Sequence, residues 1–273
     1  GAPLAEQLPY VNPMAPMEEE AASKAPKEIG MQTFGFQHIS SMLLEVMNRA
    51  LKAVWYQKWP IHRRLRPEAF GGRLHRQETG AATYGIDASY KNSPLFKPTG
   101  AYSVFLHNQR QNANKRSDIE HNTGTYLLPM EFAEGSPLHP SYGAGHATVA
   151  GACATILKAF FPEDQVIASP VVSNAEGTAL LPYTGPDTLR VGGEIDKLAS
   201  NISLGRNFAG MHWRSDHTAS IRLGEKIGIS MLYDQCRLCN ESYRFKFHRF
   251  SGALVQIDHN STVIDLRNWM NTY

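Results

Sequence analysis

From about Phe34 to Gln57 the apolar residues Ile39, Leu43, Leu44, Met47, Leu51, Val54 and Trp55 recur at intervals of three and four. That period belongs to an amphipathic helix, which delivers Lys58 to its C-terminal end before Pro60 interrupts it. A second helix is predicted from about Ala144 to Phe161, stopped by Pro162, and carries Gly145, Ala147, Ala150, Gly151, Ala152 and Ala154. Side chains this small let another backbone approach closely. A third helix spans about Gly193 to Phe208 with Arg206 near its end, and a fourth runs from about Ser215 to Cys236 through Ile221, Leu223, Ile227, Ile229 and Leu232. The tail changes period. Tyr243, Phe245 and Phe247 alternate with polar residues, then Ser251-Gly252 turns the chain into ALVQI, the pattern of a two-stranded hairpin.

Between these elements the pattern is weaker. Residues 1–30 are rich in Pro, Met and Glu without periodicity and read as an extended arm. Residues 79–140 are polar and irregular, so long loops are expected there, interrupted at most by a short helix. The fold class that follows is all-α: a helical bundle with a small C-terminal β-hairpin. Residues 31–240 are expected to form its main helical-bundle domain, and residues 241–273 the hairpin and tail of that same domain.

A chain of 273 residues with 42% hydrophobic content can bury a sizeable core. Its 27 basic residues are nearly matched by 25 acidic ones, so the charge of +2 points to neither a nucleic-acid partner nor a membrane surface. No uninterrupted apolar stretch is long enough to span a bilayer. The 3 cysteines provide no disulfide framework, and the lone CxxC of Cys236 and Cys239 lacks the second pair that a zinc site needs. Positive charge is concentrated locally instead. Lys58, Arg63, Arg64, Arg66, Arg73 and Arg76 face a single carboxylate, Glu68, in that stretch. Solvated helix ends would account for such a cluster, and a nucleic-acid surface is the runner-up to the reading that it marks an anion site.

The anion reading gains from what accompanies the cluster. Lys58 and Arg66-Pro67 stand in KWPIHRRLRP, Gly145-His146 in HPSYGAGHA, and Arg206, His212 and Asp216 in LGRNFAGMHWRSD. Cations that stay charged at neutral pH, imidazoles and a glycine-opened helix start are what a multiply charged oxoanion needs from a protein. Taken singly, each cation is an ordinary surface ion-pair partner and each histidine an ordinary structural imidazole. Together these residues resemble the signature of the vanadium-dependent haloperoxidases and of the related bacterial acid phosphatases. The resemblance covers about Gly35 to Leu232. It is closer to the haloperoxidases of the algal and bacterial bromoperoxidase type, on the seven-residue gap between Lys58 and Arg66 and on His139.

The resemblance implies a vanadate prosthetic group and a site assembled around it. Lys58, Arg66 and Arg206 surround its equatorial oxygens, Gly145 offers a backbone N–H, and His212 binds the vanadium with Asp216 on its other ring nitrogen. His146 is the acid–base residue, and His139 tunes halide choice. The implied reaction oxidises a halide, bromide foremost, with hydrogen peroxide to hypohalous acid, which halogenates an organic acceptor. Two rivals stand beside it: an acid phosphatase in which His212 becomes a phosphohistidine, and an inactive oxyanion-binding or scaffold protein. One position departs from the family pattern, since Ala144 stands where a serine usually precedes the Gly-His pair. The lost hydroxyl bond costs on the order of 1 kcal/mol of anion affinity. The chain is expected to be the C-terminal, active-site half of a longer protein or a processed subunit, pairing with that missing half or with copies of itself. The sequence does not fix its compartment, although the resemblance agrees with a soluble secreted or periplasmic protein.

Overall fold

Helices α1 (Phe36–Tyr56), α2 (Pro67–Glu78), α3 (Val104–Lys115), α4 (Gly145–Phe160), α5 (Val191–Phe208), α6 (Arg214–Cys236) and α7 (Val263–Asn271) dominate the computed structural model, which describes residues 31–92, 104–115, 124–240 and 243–271. A π-helical turn (Gln57–His62) continues α1, and a short 3-10 turn spans Ala88–Asn92. Among the described residues, strands are confined to two antiparallel hairpins. Strand β1 (Val171–Ser173) pairs with β2 (Leu180–Pro182), and β3 (Arg244–His248) pairs with β4 (Leu254–Asp258) in the register Phe245↔Ile257, Phe247↔Val255. The helical class and the C-terminal hairpin are as expected. The arm read at residues 1–30 lies outside the described residues, and among those no helix is long and apolar enough to cross a membrane.

The chain divides into two compact units, the first built from the described parts of Gly1–Val54, Gly145–Ser203 and Thr218–Tyr273. In it α1 buries Ile39, Met42, Val46 and Ala50 on one face, at the three- and four-residue spacing of a helix. Leu43 packs beside them, whereas Leu44 and Leu51 remain 69% and 47% exposed. The apolar stripe of the sequence is therefore wider than the face that this unit buries. Ala152, Ile156 and Phe160 of α4, Ile229 and Leu232 of α6, and Phe245, Phe247, Val255 and Ile257 of the hairpin complete the same core. Alternation decides the hairpin's faces: Phe245 and Phe247 point inward while Arg244, Lys246 and His248 point out.

Small residues bring α4 and α6 together at backbone distance. A Cβ added to Gly151 would lie 2.2 Å from Ile221 O, and one added to Gly224 would lie 2.0 Å from Thr148 O. Buried charges anchor the edges of this unit. Lys158 Nζ bonds His248 O at 2.7 Å and pairs with Asp196 at 2.9 Å. Glu225 accepts from Arg249 Nε at 2.9 Å and from the Phe250 N–H at 2.6 Å, fastening the hairpin turn to α6. Helix α7 forms in what the sequence shows only as tail, opened by a reciprocal cap between Thr262 and Asp265.

The second unit comprises Trp55–Ala144 and Leu204–His217. Here α3 replaces part of the expected loop. Its apolar residues, Val104, Phe105 and Leu106, sit together in the first turn, so no periodic stripe announces it; Asn108 Nδ2 instead bonds Thr125 O at 3.0 Å and Leu127 O at 2.6 Å.

The glycine contact yields a test of fold energetics. In an open helix, Gly224→Ala would gain about 1 kcal/mol from propensity, but a methyl 2.0 Å from a carbonyl oxygen forces α4 and α6 apart. Overpacking of this kind costs about 1–3 kcal/mol, occasionally more. Gly224→Ala should therefore lower the urea midpoint, whereas Gly205→Ala, with open space around it, should not.

Candidate active site

The end of α1 sets the first cation. Beyond Tyr56 the helix widens to i→i+5 bonding, with Arg63 N–H donating to Lys58 O at 2.9 Å, and Pro60 sits inside this turn without an N–H to contribute. Lys58 is only 1% exposed. Its Nζ donates to Pro140 O at 2.7 Å and lies 3.5 Å from Ser141 O. Burial, with the charge of Arg66 adding to it, pulls its pKa down from 10.5 to about 7, against a smaller upward pull from Asp216.

Pro67 sets the second. A residue before proline is held out of the helical region, so Arg66 is extended (φ −70, ψ 149) and caps α2 from outside while Pro67 opens it. The Arg66 guanidinium then spans the site. Nε donates to His139 O at 2.9 Å, one terminal nitrogen bonds Met211 O at 2.8 Å and meets His212 Nε2 at 3.2 Å, and the other meets His139 Nδ1 at 3.0 Å. Its pKa is lowered to about 10, by burial first and by Arg206 among its neighbours, with Asp216 opposing. Burial and the charges of Lys58 and Arg66 push His139 down to about 4, so this imidazole is neutral and accepts from Arg66. Its ring lies 5.1 Å from that of Trp55.

His212 lies in the turn between α5 and α6, where Asn207 Nδ2 holds its carbonyl at 2.8 Å. Its Nδ1 is 3.3 Å from Asp216 Oδ2, one helical turn on. Burial lowers the His212 pKa, although the bond to Asp216 opposes it. Asp216 is fully buried. Burial alone would raise its pKa, but bonds from His212, Ser141 and the Trp213 N–H, together with the Arg64 charge, leave it lowered and the carboxylate ionised. Trp213 packs as structure, donating to Leu65 O at 2.9 Å and meeting Phe70 edge to face.

The second unit thus gathers Lys58, Arg66, His139, Arg206, His212 and Asp216. Gly145 and His146 open α4 in the first unit, where a Cβ on Gly145 would meet only Leu51 at 4.0 Å. Local packing in that unit does not demand glycine there. Sequence reasoning missed Ser141 and Arg64, which hold Asp216 from both sides at 2.5 and 2.9 Å. Neither carries a spacing signal, because their partner lies 75 and 152 residues away.

The donor set suits vanadate or another tetrahedral oxoanion. Lys58 and Arg66 are buried against carbonyl oxygens and imidazoles, and the buried Nε–H of Arg206 has no hydrogen-bond partner among the described residues. A buried donor left unpaired costs about 1–3 kcal/mol, which an anionic oxygen would recover. The one buried carboxylate among these groups, Asp216, is already engaged by Arg64. Among the described residues no group of three or more His, Cys, Asp or Glu side chains is arranged to hold a metal ion.

Known proteins resemble this chain in sequence and in fold. Residues 107–240 match the VCPO second helical-bundle domain. The chain is 40% identical over 261 residues to a vanadium-dependent bromoperoxidase of Corallina officinalis, covering 93% of this chain and 42% of that protein. A vanadium-dependent bromoperoxidase of Ascophyllum nodosum is 37% identical over 240 residues, covering 86% of this chain and 41% of its own length. Among solved structures, the homohexameric second vanadate-dependent bromoperoxidase of Ascophyllum nodosum superposes with a TM-score of 0.74 at 29% identity, over 87% of this chain and 42% of that one. The chain therefore spans about two-fifths of the length of these proteins. Alike in sequence and in helical fold, it is a partial-length relative of the vanadium-dependent bromoperoxidases.

Proposed function

We propose that this chain carries the oxoanion site of a vanadate-dependent haloperoxidase that oxidises halide, bromide foremost, with hydrogen peroxide and halogenates an organic acceptor. The observation that carries the reading is a set of cations gathered at one place: Lys58 buried on carbonyl oxygens, Arg66 buried on carbonyls and imidazoles, and half-buried Arg206, whose Nε–H has no hydrogen-bond partner among the described residues. Lys58, Arg66, Arg206 and His212 would hold vanadate, which when bound supplies the electrophilic centre that activates peroxide. Lys58 and Arg66 neutralise charge on the oxygens, and the low-dielectric surroundings strengthen each such bond. His212 offers the Nε2 lone pair, since Nδ1 faces Asp216. On the resemblance, Gly145 adds a backbone N–H and His146 moves the proton of the incoming peroxide. His139, neutral and bonded to Arg66, is assigned to halide choice. Assembly with copies of itself, or with the remaining length found in its relatives, belongs to the same proposal.

Titration of the purified chain with vanadate should show near-equimolar binding that phosphate competes away, and bromide- and peroxide-dependent bromination should follow loading. Hydrolysis of a phosphate ester without bromination would assign the site to the phosphatase rival; failure to bind either anion would leave it inactive.

The histidines should separate in their effects. His212→Ala is expected to lose both vanadate retention and turnover, whereas His146→Ala keeps more of the anion and loses most turnover. Equal loss of both in the two variants would contradict their roles.

Lys58 gives a pH dependence of fixed sign. Its folded pKa, about 7, lies below its unfolded value of 10.5, so the buried ammonium penalises the folded state below pH 7 and the penalty fades as pH rises from 7 to 10.5. Lys58→Met should therefore stabilise the anion-free protein by on the order of 2 kcal/mol below pH 7, net of the donor lost by the Pro140 and Ser141 carbonyls. Thermal melts at rising pH should show this advantage shrinking. Sulfate, whose charge is constant over this range, should bind the wild type progressively more weakly above pH 7, because the anion needs the protonated amine.

A further inference from the structure

Ser141 has no charge and no special spacing, yet it is fully buried and each of its polar groups holds a different part of the site. The hydroxyl donates to Asp216 Oδ2 at 2.5 Å and lies 3.5 Å from His212 Nδ1. The Ser141 N–H donates to Arg64 O at 2.9 Å, and the Ser141 carbonyl, beside that of Pro140, faces Lys58 Nζ. Arg64 approaches the carboxylate from the opposite side, bonding Asp216 Oδ1 at 2.9 Å and Ser215 Oγ at 3.0 Å.

With Oδ1 taken by Arg64 and Oδ2 by Ser141 and the Trp213 N–H, the plane of the Asp216 carboxylate is fixed. A fixed acceptor 3.3 Å from Nδ1 selects the neutral imidazole that carries its proton on Nδ1. The other tautomer would set a lone pair against Asp216 Oδ2 and an N–H against the Arg66 guanidinium at 3.2 Å, so it is disfavoured at both ring nitrogens. We propose that Ser141, acting with Arg64 through Asp216, is a positioning residue that sets the tautomer and orientation of His212 and so keeps the Nε2 lone pair available to an oxoanion. The value of that lone pair rests on the oxoanion reading above; the tautomer itself does not.

The experiment separates the two. Long-range proton–nitrogen NMR spectra of histidine-labelled, anion-free protein, recorded with the imidazole neutral, report which ring nitrogen of His212 is protonated; vanadate titration of the same samples reports affinity. The wild type should show the Nδ1–H form alone. Ser141→Ala should show a mixture of tautomers and bind vanadate about tenfold more weakly. Arg64→Met, at a side chain 42% exposed and so free of a new internal cavity, should shift both readouts in the same direction and supplies the test should Ser141→Ala not fold. An unmixed Nδ1–H form with wild-type vanadate affinity in the folded variant overturns the proposal. If the wild type binds neither vanadate nor phosphate, the oxoanion reading fails, while the tautomer spectra still decide the role of Ser141.

Discussion

An ammonium group buried without a carboxylate is the constraint around which the second unit is organised. Lys58 is 1% exposed, and among the described residues only carbonyl oxygens face its Nζ at bonding distance. Desolvation of such a charge is expensive, and its depressed pKa records the strain. The surroundings deepen the deficit of negative charge, since Arg66 and Arg206 add to the positive field. Asp216 is tied to Arg64 and to the back of His212, and Glu68, which also acts on Arg66, accepts from the Ser136 N–H. Local structure serves this arrangement: a π-helical turn carries Lys58, a proline holds Arg66 out of α2, and residues 139–141 supply the carbonyls that both cations need.

Much of this was legible in the sequence, and the exceptions have physical causes. Lys58, Arg66, Arg206, His212 and Asp216 are charged or titratable groups near helix ends at recognisable spacing, and they come together in one unit. The C-terminal hairpin was legible because one of its faces is buried, which imposes a period of two. Strands β1 and β2 are exposed along their whole length, so no period marks them. Helix α3 falls in the stretch read as loops with at most a short helix, and its bounds were not legible because its apolar residues share one turn and its fastening comes from Asn108. Ser141 escaped because a hydroxyl becomes informative only when its acceptor is seen, and Asp216 comes 75 residues later. The width of the α1 stripe, by contrast, overstated what is buried, as Leu44 and Leu51 show.

Ala144 acquires a clearer meaning from Ser141. In the run HPSYGAGHA the hydroxyl at residue 141 is committed to Asp216 and is not available to replace the one absent at residue 144. On the proposed oxoanion reading, affinity would come from the cations, the imidazole and backbone N–H groups, so charge would outweigh hydroxyl donation in recognition.

The exposed side of α1 bears on the colloidal behaviour of the material. Leu44, Met47 and Leu51 lie on successive turns of the helix and present branched and thioether side chains to water, while a net charge of +2 offers little long-range repulsion between molecules. Solubility under these conditions depends on hydration more than on electrostatics. Raising the ionic strength, which screens the remaining repulsion and with kosmotropic salts strengthens apolar association, pushes such a solution toward precipitation.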